Sequence, residues 1–221
     1  MKIKIQTLVE LQSTEIEIRR VEQALAAAPE RFDAITAERQ GLTEAVEAAL
    51  QGSAGPLKVV SNLPYCISSP AVVNLLEWDF QPRSLYLTLQ REVAERMLAS
   101  PGARQYGPLT VYVDYWATVR ALFALGRDAF WPAPAVSSTV VEVVCRPFRR
   151  RDETYEKFAV VVRKLFGQRR KMLRGALRRA WDREVAEHVL KATGLDPDSR
   201  AEGLATDDFL AIAEAAPDSP R

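Results

Sequence analysis

The chain predicts an α/β sheet domain followed by a small all-α domain, with an amphipathic helix or coiled coil in front. Three observations carry that prediction. From Leu57 to Cys145, short apolar runs bounded by turn residues alternate with stretches of helical periodicity. After Pro147 only the helical period remains, so the sheet and the later helices separate along the chain. Before Gln51 the apolar residues recur at steps of three, four and seven, with Glu, Arg and Gln between them.

The first segment, residues 1–50, takes its stripe from Leu8, Leu11, Ile18, Leu25, Phe32, Ile35, Leu42, Val46 and Leu50. Ala26-Ala27-Ala28-Pro29 interrupts it, and a kink or break is expected near Pro29, because proline removes a helical N–H and clashes with the preceding turn. The stripe reads either as a helix packed on its own domain or as a coiled coil that self-associates or takes a partner helix. The stretch LVELQSTEIEIRRVEQALAAAPERF resembles the N-terminal helix of bacterial zinc-ribbon coiled-coil proteins. Their C-x-x-C pairs are not present here, so the resemblance implies no zinc. Gln51-Gly52-Ser53-Ala54-Gly55-Pro56 is a linker by composition.

From Leu57 the elements follow in order. Leu57 to Ser61 reads as a buried strand, and Ser68, Ser69 and Pro70 open a helix that runs to Trp78. Ser84–Gln90 is a second strand, and Arg91–Leu98 a helix ended by Ser100-Pro101-Gly102. Gly107-Pro108 starts a helix through Tyr115, and Thr118–Leu125 is a strand. Phe130 to Val136 is irregular, because its prolines fix φ and remove donors. The β-branched run Thr139–Cys145 is the last strand. Helices are expected over Tyr155–Phe166, Gln168–Trp181, Glu184–Thr193 and Thr206–Ala215, with Gly167 and Gly194 at helix ends and Thr206 as an N-cap. This divides the chain into 1–50, the linker 51–56, a sheet domain over 57–147 and a helical domain over 148–221.

Composition narrows the function classes. Cys66 and Cys145 are far apart and form no C-x-x-C pair, which argues against a metal cage or a disulfide framework and fits a reducing compartment. No apolar run reaches the ~18–20 residues of a membrane span. A cytoplasmic protein with no metal and no membrane contact is expected. The net charge of +1 conceals an uneven distribution. Arg146 to Arg183 holds eleven arginines and three lysines against four acids, whereas Glu184 to the end holds nine acids against three bases. The basic block is suited to phosphates.

Three stretches carry chemistry. Asn62-Leu63-Pro64-Tyr65 lies at the carboxyl end of the first strand, where an open α/β sheet places its ligands. A nucleobase amine is a poor nucleophile because its lone pair is delocalised into the ring, so a site that alkylates it needs acceptors for its two N–H groups. The Asn62 side-chain carbonyl and the Leu63 backbone carbonyl are candidates. Pro64 stiffens the loop, and Tyr65 offers an aromatic face to a base taken out of its stack. The same four residues also suit an ordinary strand-to-helix turn. Phe130-x-Pro132-x-Pro134-x-Val136-x-Ser138 supplies a second aromatic on a stiff loop. In Gly167-Gln168-Arg169-Arg170-Lys171-x-x-Arg174, a continuous helix would put Arg170, Arg174 and Arg178 on one face, suited to a phosphate backbone or simply to solvent.

The motifs VSNLPYCISSP (60–70), LQREVAERMLASPGARQYGPLTV (89–111), FWPAPAVSSTVV (130–141), FGQRRKMLRGAL (166–177) and GLDPDSRAEGL (194–204) resemble, in order and spacing, the ribosomal RNA adenine N6,N6-dimethyltransferases, and the small-subunit enzymes more than the Erm-type resistance methylases. The resemblance implies a Rossmann-like methyltransferase sheet, S-adenosylmethionine as methyl donor and an adenine of small-subunit rRNA as target. It implies that Asn62 contacts the amine beside the cofactor, that Tyr65 and Phe130 flank the base, and that Arg169, Arg170, Lys171, Arg174 and Arg178 contact rRNA.

That family carries its glycine-rich cofactor turn and acidic ribose- and adenine-binding residues ahead of this first strand. No G-x-G occurs in the chain, and the glycines before Asn62 are Gly41, Gly52 and Gly55. The expectation is an acceptor-site half of such an enzyme, with the strands that would precede Leu57 missing and an apolar sheet edge beside it. Three readings follow: a methyltransferase whose cofactor half comes from a partner, an RNA-binding remnant without catalysis, or a coiled-coil interaction protein. The residues alone favour the latter two.

Overall fold

The computed structural model describes residues 56–78, 82–147 and 151–217. The predicted amphipathic helix, its break at Pro29 and most of the linker lie outside them. Strands β1 (Lys58–Asn62), β2 (Ser84–Gln90), β3 (Ala117–Leu125) and β4 (Ser138–Cys145) form one sheet in the order β1-β2-β4-β3. β1 is parallel to β2, and β4 is antiparallel to both β2 and β3. Parallel neighbours need a crossover, and helix α1 (Ser68–Leu76) supplies it. Helix α2 (Arg91–Met97) follows β2 directly, and α3 (Pro108–Trp116) runs straight into β3.

Strand alternation sorts the sheet into two faces. Leu85, Leu87 and Leu89 of β2 and Val141 and Val143 of β4 are fully buried, in one core with Val72 and Leu76 of α1, Val93 and Met97 of α2 and Val111 of α3. Each such side chain contributes roughly 1.5–3 kcal/mol by leaving water. The opposite face carries the cross-strand row Val60, Tyr86, Glu142, Arg120. The expected buried strand over Leu57–Ser61 is therefore corrected: β1 is a strand, but Val60 is 80% exposed and burial alternates along it. Among the described residues β1 pairs only with β2, and the Val60 side chain stands open at that edge of the sheet, although Ser84, Ser138 and Glu142 on the same face are buried.

Four helices follow: α4 (Glu153–Phe166), α5 (Leu173–Ala180), α6 (Arg183–Thr193) and α7 (Thr206–Ala215). Asp152 caps α4 by accepting the Tyr155 N–H at 3.0 Å, and Asp182 caps α6 by accepting the Val185 N–H at 2.8 Å. Gly194 ends α6 with φ +68°, a left-handed conformation that glycine adopts without strain. Aromatic packing joins α4 to α3: Tyr115 stacks on Phe158 at 4.8 Å and meets Tyr155 at 5.1 Å.

Two helix starts differ from expectation. The helix expected from Gln168 begins at Leu173, because residues 167–171 turn and the first α5 N–H groups find other acceptors: Leu173 donates to the Ser199 carbonyl at 2.8 Å and Arg174 to that of Pro197 at 3.1 Å. Thr206 is not an N-cap. It is the buried first residue of α7, and the Asp208 carboxylate reaches back to accept the Ala205 N–H at 2.8 Å.

Candidate active site

The carboxyl ends of β1, β2 and β3 and the amino end of β4 lie at one end of the sheet, as the strand directions require. Two loops meet there. One leaves β1 through Asn62-Leu63-Pro64-Tyr65 into a short 3-10 turn, Tyr65–Ile67. The other connects β3 to β4 and carries Phe130 to Val136 after a 3-10 turn, Arg127–Ala129. Together they form an open cleft of about 370 Å³ lined by Asn62, Leu63, Pro64, Tyr65, Phe130, Trp131, Pro132 and Pro134. Every acceptor-site residue singled out from the sequence lines this one cleft, although Tyr65 and Phe130 are 65 positions apart in the chain.

Backbone bonds hold the first loop. Leu63 N–H donates to the Thr88 carbonyl at 3.4 Å, which extends the β1–β2 ladder by one residue. The Pro64 carbonyl accepts from Ile67 N–H at 3.2 Å and from Ser68 Oγ at 3.0 Å, so the turn is tied to the start of α1. Tyr65 is half-buried, and its hydroxyl bonds Ser138 Oγ at 2.7 Å. Ser138 is fully buried at the head of β4, so this bond fixes the Tyr65 ring and links the first loop to the root of the second. The second loop has its own ties: Phe130 N–H to the Arg127 carbonyl at 3.3 Å, Arg91 N–H to the Ser137 carbonyl at 3.0 Å, and Arg127 Nη1 to the Ala135 carbonyl at 3.4 Å. Asn62 is exposed at the tip of β1.

A cleft with acceptors at its edge and half-buried aromatic rings suits a flat ring bearing an amine. It does not amount to a cradle for a nucleoside cofactor. The described residues beside the edge of β1 include no glycine-rich turn, and the chain contains no G-x-G. Among the described residues no group of three or more His, Cys, Asp and Glu is placed to hold a metal ion, and no helix is long and apolar enough to cross a membrane. Cys66 is exposed and Cys145 buried, both as free thiols; burial raises the Cys145 pKa to about 11.

The basic residues expected to meet RNA divide into two groups. Arg169 pairs with Glu202 at 2.8 Å and donates to the Arg104 carbonyl at 3.3 Å. Arg178 pairs with Glu187 at 2.6 Å, which lowers the Glu187 pKa. Arg170, Lys171 and Arg174 are exposed. The expected single helical face of Arg170, Arg174 and Arg178 is corrected, because Arg170 sits in the turn before α5.

Two features carry no clear signal in the sequence. Ser138 ends the Phe-Pro-Pro-Val-Ser pattern, yet its pairing with Tyr65 depends on strands brought together across the sheet. Tyr86 donates to Glu142 Oε1 at 2.8 Å while Arg120 binds Oε2, and these two bonds lower the Glu142 pKa. Only the β2-β4-β3 register puts that trio in one row.

The family model for ribosomal RNA adenine dimethylase matches residues 32–218, so the match begins well before Leu57 and overlaps the predicted coiled-coil segment. The chain is 40% identical over 165 residues to the ribosomal RNA small subunit methyltransferase A of Lactobacillus helveticus, covering 73% of this chain and 55% of that protein. It is 40% identical over 184 residues to the protein of the same name from Phenylobacterium zucineum, covering 83% and 60%. The chain thus spans little more than half the length of these curated relatives. Among solved structures, a dimethyladenosine transferase from Plasmodium falciparum superposes with a TM-score of 0.64 at 24% identity, covering 73% of this chain and 67% of that one. The 23S rRNA methyltransferase ErmE superposes with a TM-score of 0.54 at 21% identity, covering 74% and 66%. These two show the fold, and the extent of the family match shows the membership: the chain belongs to the ribosomal RNA adenine dimethylase family.

Proposed function

We propose that this chain carries the acceptor site of an S-adenosylmethionine-dependent enzyme that dimethylates adenine N6 in small-subunit ribosomal RNA. One observation carries the reading: Asn62-Leu63-Pro64-Tyr65 and Phe130, remote in sequence, line a single cleft at the carboxyl ends of the parallel strands. The names of the relatives supply the substrate class.

In this reading the target adenine leaves its stack and enters the cleft, with Tyr65 and Phe130 against its faces. The Asn62 carboxamide oxygen and the Leu63 carbonyl accept from the N6 amine. Those bonds draw the nitrogen lone pair out of conjugation with the ring, which makes it a better nucleophile. Arg170, Lys171 and Arg174 hold the RNA backbone in a salt-dependent, sequence-blind way, whereas Arg169 and Arg178 serve the protein's own packing. S-adenosylmethionine would supply an electrophilic methyl group. In this reading Asn62 lies beside the donor, and residues of the chain outside the described set grip the rest of that molecule. A ribosomal substrate places the work in the cytoplasm.

Two measurements on the full chain test the proposal. Titration calorimetry with S-adenosylmethionine is expected to give a saturable site. Methyl transfer to undermethylated small-subunit particles is then expected, and Asn62→Ala should remove it. A folded chain that neither binds the donor nor transfers a methyl group, while still binding the particles, would reduce the function to RNA binding.

A further inference from the structure

We propose that Trp131 is a stacking platform for the nucleotide next to the target adenine, which makes it a positioning residue outside the pair that holds the adenine itself. The inference rests on the proposed function and adds a second contact to it. Trp131 is 98% exposed, the most exposed large apolar side chain in the described structure. Three of the four tryptophans behave differently: Trp116 and Trp181 are buried and Trp78 is half-buried. Exposure alone is common for an apolar side chain, and it is the position of this indole on a cleft lined by two further aromatic rings that points to a stacking role.

Its position separates its task from that of Phe130. The Phe130 backbone is extended, with φ −128° and ψ 150°, so successive side chains project to different sides. Phe130 is half-buried in the cleft wall, whereas Trp131 stands at the rim of the same cleft in solvent. The two rings therefore cannot clamp one base between them. A base that follows or precedes the adenine along the strand would pass over the rim, where the Trp131 face is free. Pro132 and Pro134 restrict the backbone beneath the indole, and Arg91 N–H and Arg127 tie the loop down, so little order is lost when a base stacks there. Arg127 is exposed on the same loop and adds positive charge for the adjoining phosphate. Stacking on an aromatic side chain accepts any base, so this contact adds affinity and alignment without adding sequence preference.

The test uses the full chain and a fluorophore-labelled single-stranded RNA with one adenine flanked by uridines, read by anisotropy, with tryptophan emission and acrylamide quenching read on an unlabelled copy. Binding is expected to quench the exposed tryptophan and shield it from acrylamide. Trp131→Ala is expected to weaken binding by roughly tenfold, and Trp131→Phe to restore most of it. Replacing one flanking uridine with an abasic nucleotide should make wild type and Trp131→Ala bind alike, an interaction that a merely structural role of the indole would not produce. RNA binding with unchanged emission and unchanged acrylamide access would overturn the inference and leave the proposed function intact. Equal losses from Trp131→Ala on intact and abasic RNA would also overturn it. Absence of binding to this RNA by the wild-type chain would also overturn the inference, while the proposed function is decided separately by methyl transfer to the particles.

Discussion

The cleft and the basic tract are both candidate RNA contacts, and they are built on opposite principles. In the cleft, short-range turn chemistry and one long-range bond fix the first loop: Pro64 is tied into α1, and Tyr65 is held by Ser138. In the tract, charge that looks uniform along the chain is divided by tertiary pairing. Arg169 and Arg178 are engaged by acids from the chain's own Glu202 and Glu187, and Arg170, Lys171 and Arg174 remain exposed. A cluster of like charge thus says less about its partner than a cluster of unlike, stereochemically demanding residues.

The largest expected effect separates chemistry from binding. Asn62→Ala should lower methyl transfer on the order of a hundredfold or more, the scale seen when one group that polarises the reacting atoms is removed. RNA affinity measured by anisotropy should barely change. A parallel loss of both would make Asn62 a binding residue and erase the contrast with the tract.

Tyr65→Phe tests whether the cleft depends on its strut. It removes the O–H partner of a fully buried Ser138 and should cost about 1–3 kcal/mol in a urea titration with unchanged slope. An unaffected midpoint would mean that the strands alone set the two loops.

Within the tract the outcomes should diverge. Alanine at Arg170, Lys171 or Arg174 should reduce the salt slope of RNA binding by about 1 each. Alanine at Arg169 or Arg178 should leave the slope nearly unchanged and lower thermal stability by at most about 1 kcal/mol, because these are exposed pairs. Equal slopes across all five would show that the internal pairs open on binding.

The smallest effect concerns the polar row on the open sheet face. The Arg120 and Tyr86 bonds hold the Glu142 carboxyl below its ordinary range. A depressed carboxylate stabilises the fold above its unfolded pKa and loses that contribution as pH falls through the folded value. Melting temperatures of the wild type should therefore fall between about pH 5 and about pH 3 more steeply than those of Glu142→Gln. Parallel curves would remove Glu142 from the acid response.

Much of the fold was legible because its signals are local. The strands over 84–90 and 139–145 show in their β-branched and alternating residues, and Gly107-Pro108 marks the start of α3. The Asn-Leu-Pro-Tyr turn was legible for the same reason, since it is specified by its own residues, whereas its meeting with Phe130 in one cleft depends on the sheet. What was not legible depends on distant partners. The start of α5 at Leu173 is set by carbonyls of Ser199 and Pro197, more than twenty residues downstream. The exposure of Val60 depends on its place at the edge of the sheet, which no property of Lys58-Val59-Val60-Ser61-Asn62 reveals. The Tyr86–Glu142–Arg120 row needs the strand register, and the split of the arginines needs Glu187 of α6 and Glu202 of the connection that follows it.

The strand order has one more consequence. The two loops of the cleft hang from β1 and β4, and β2 lies between them without contributing a single lining residue. Neighbouring strands stand about 4.8 Å apart, so β2 holds β1 and β4 at roughly twice that spacing. The strand acts as a gauge block: under the proposed function it would never meet the nucleotide, yet the gap offered to the nucleotide would be its thickness. Changes in β2 packing would then retune which rings the cleft admits while every residue in contact with them stayed the same.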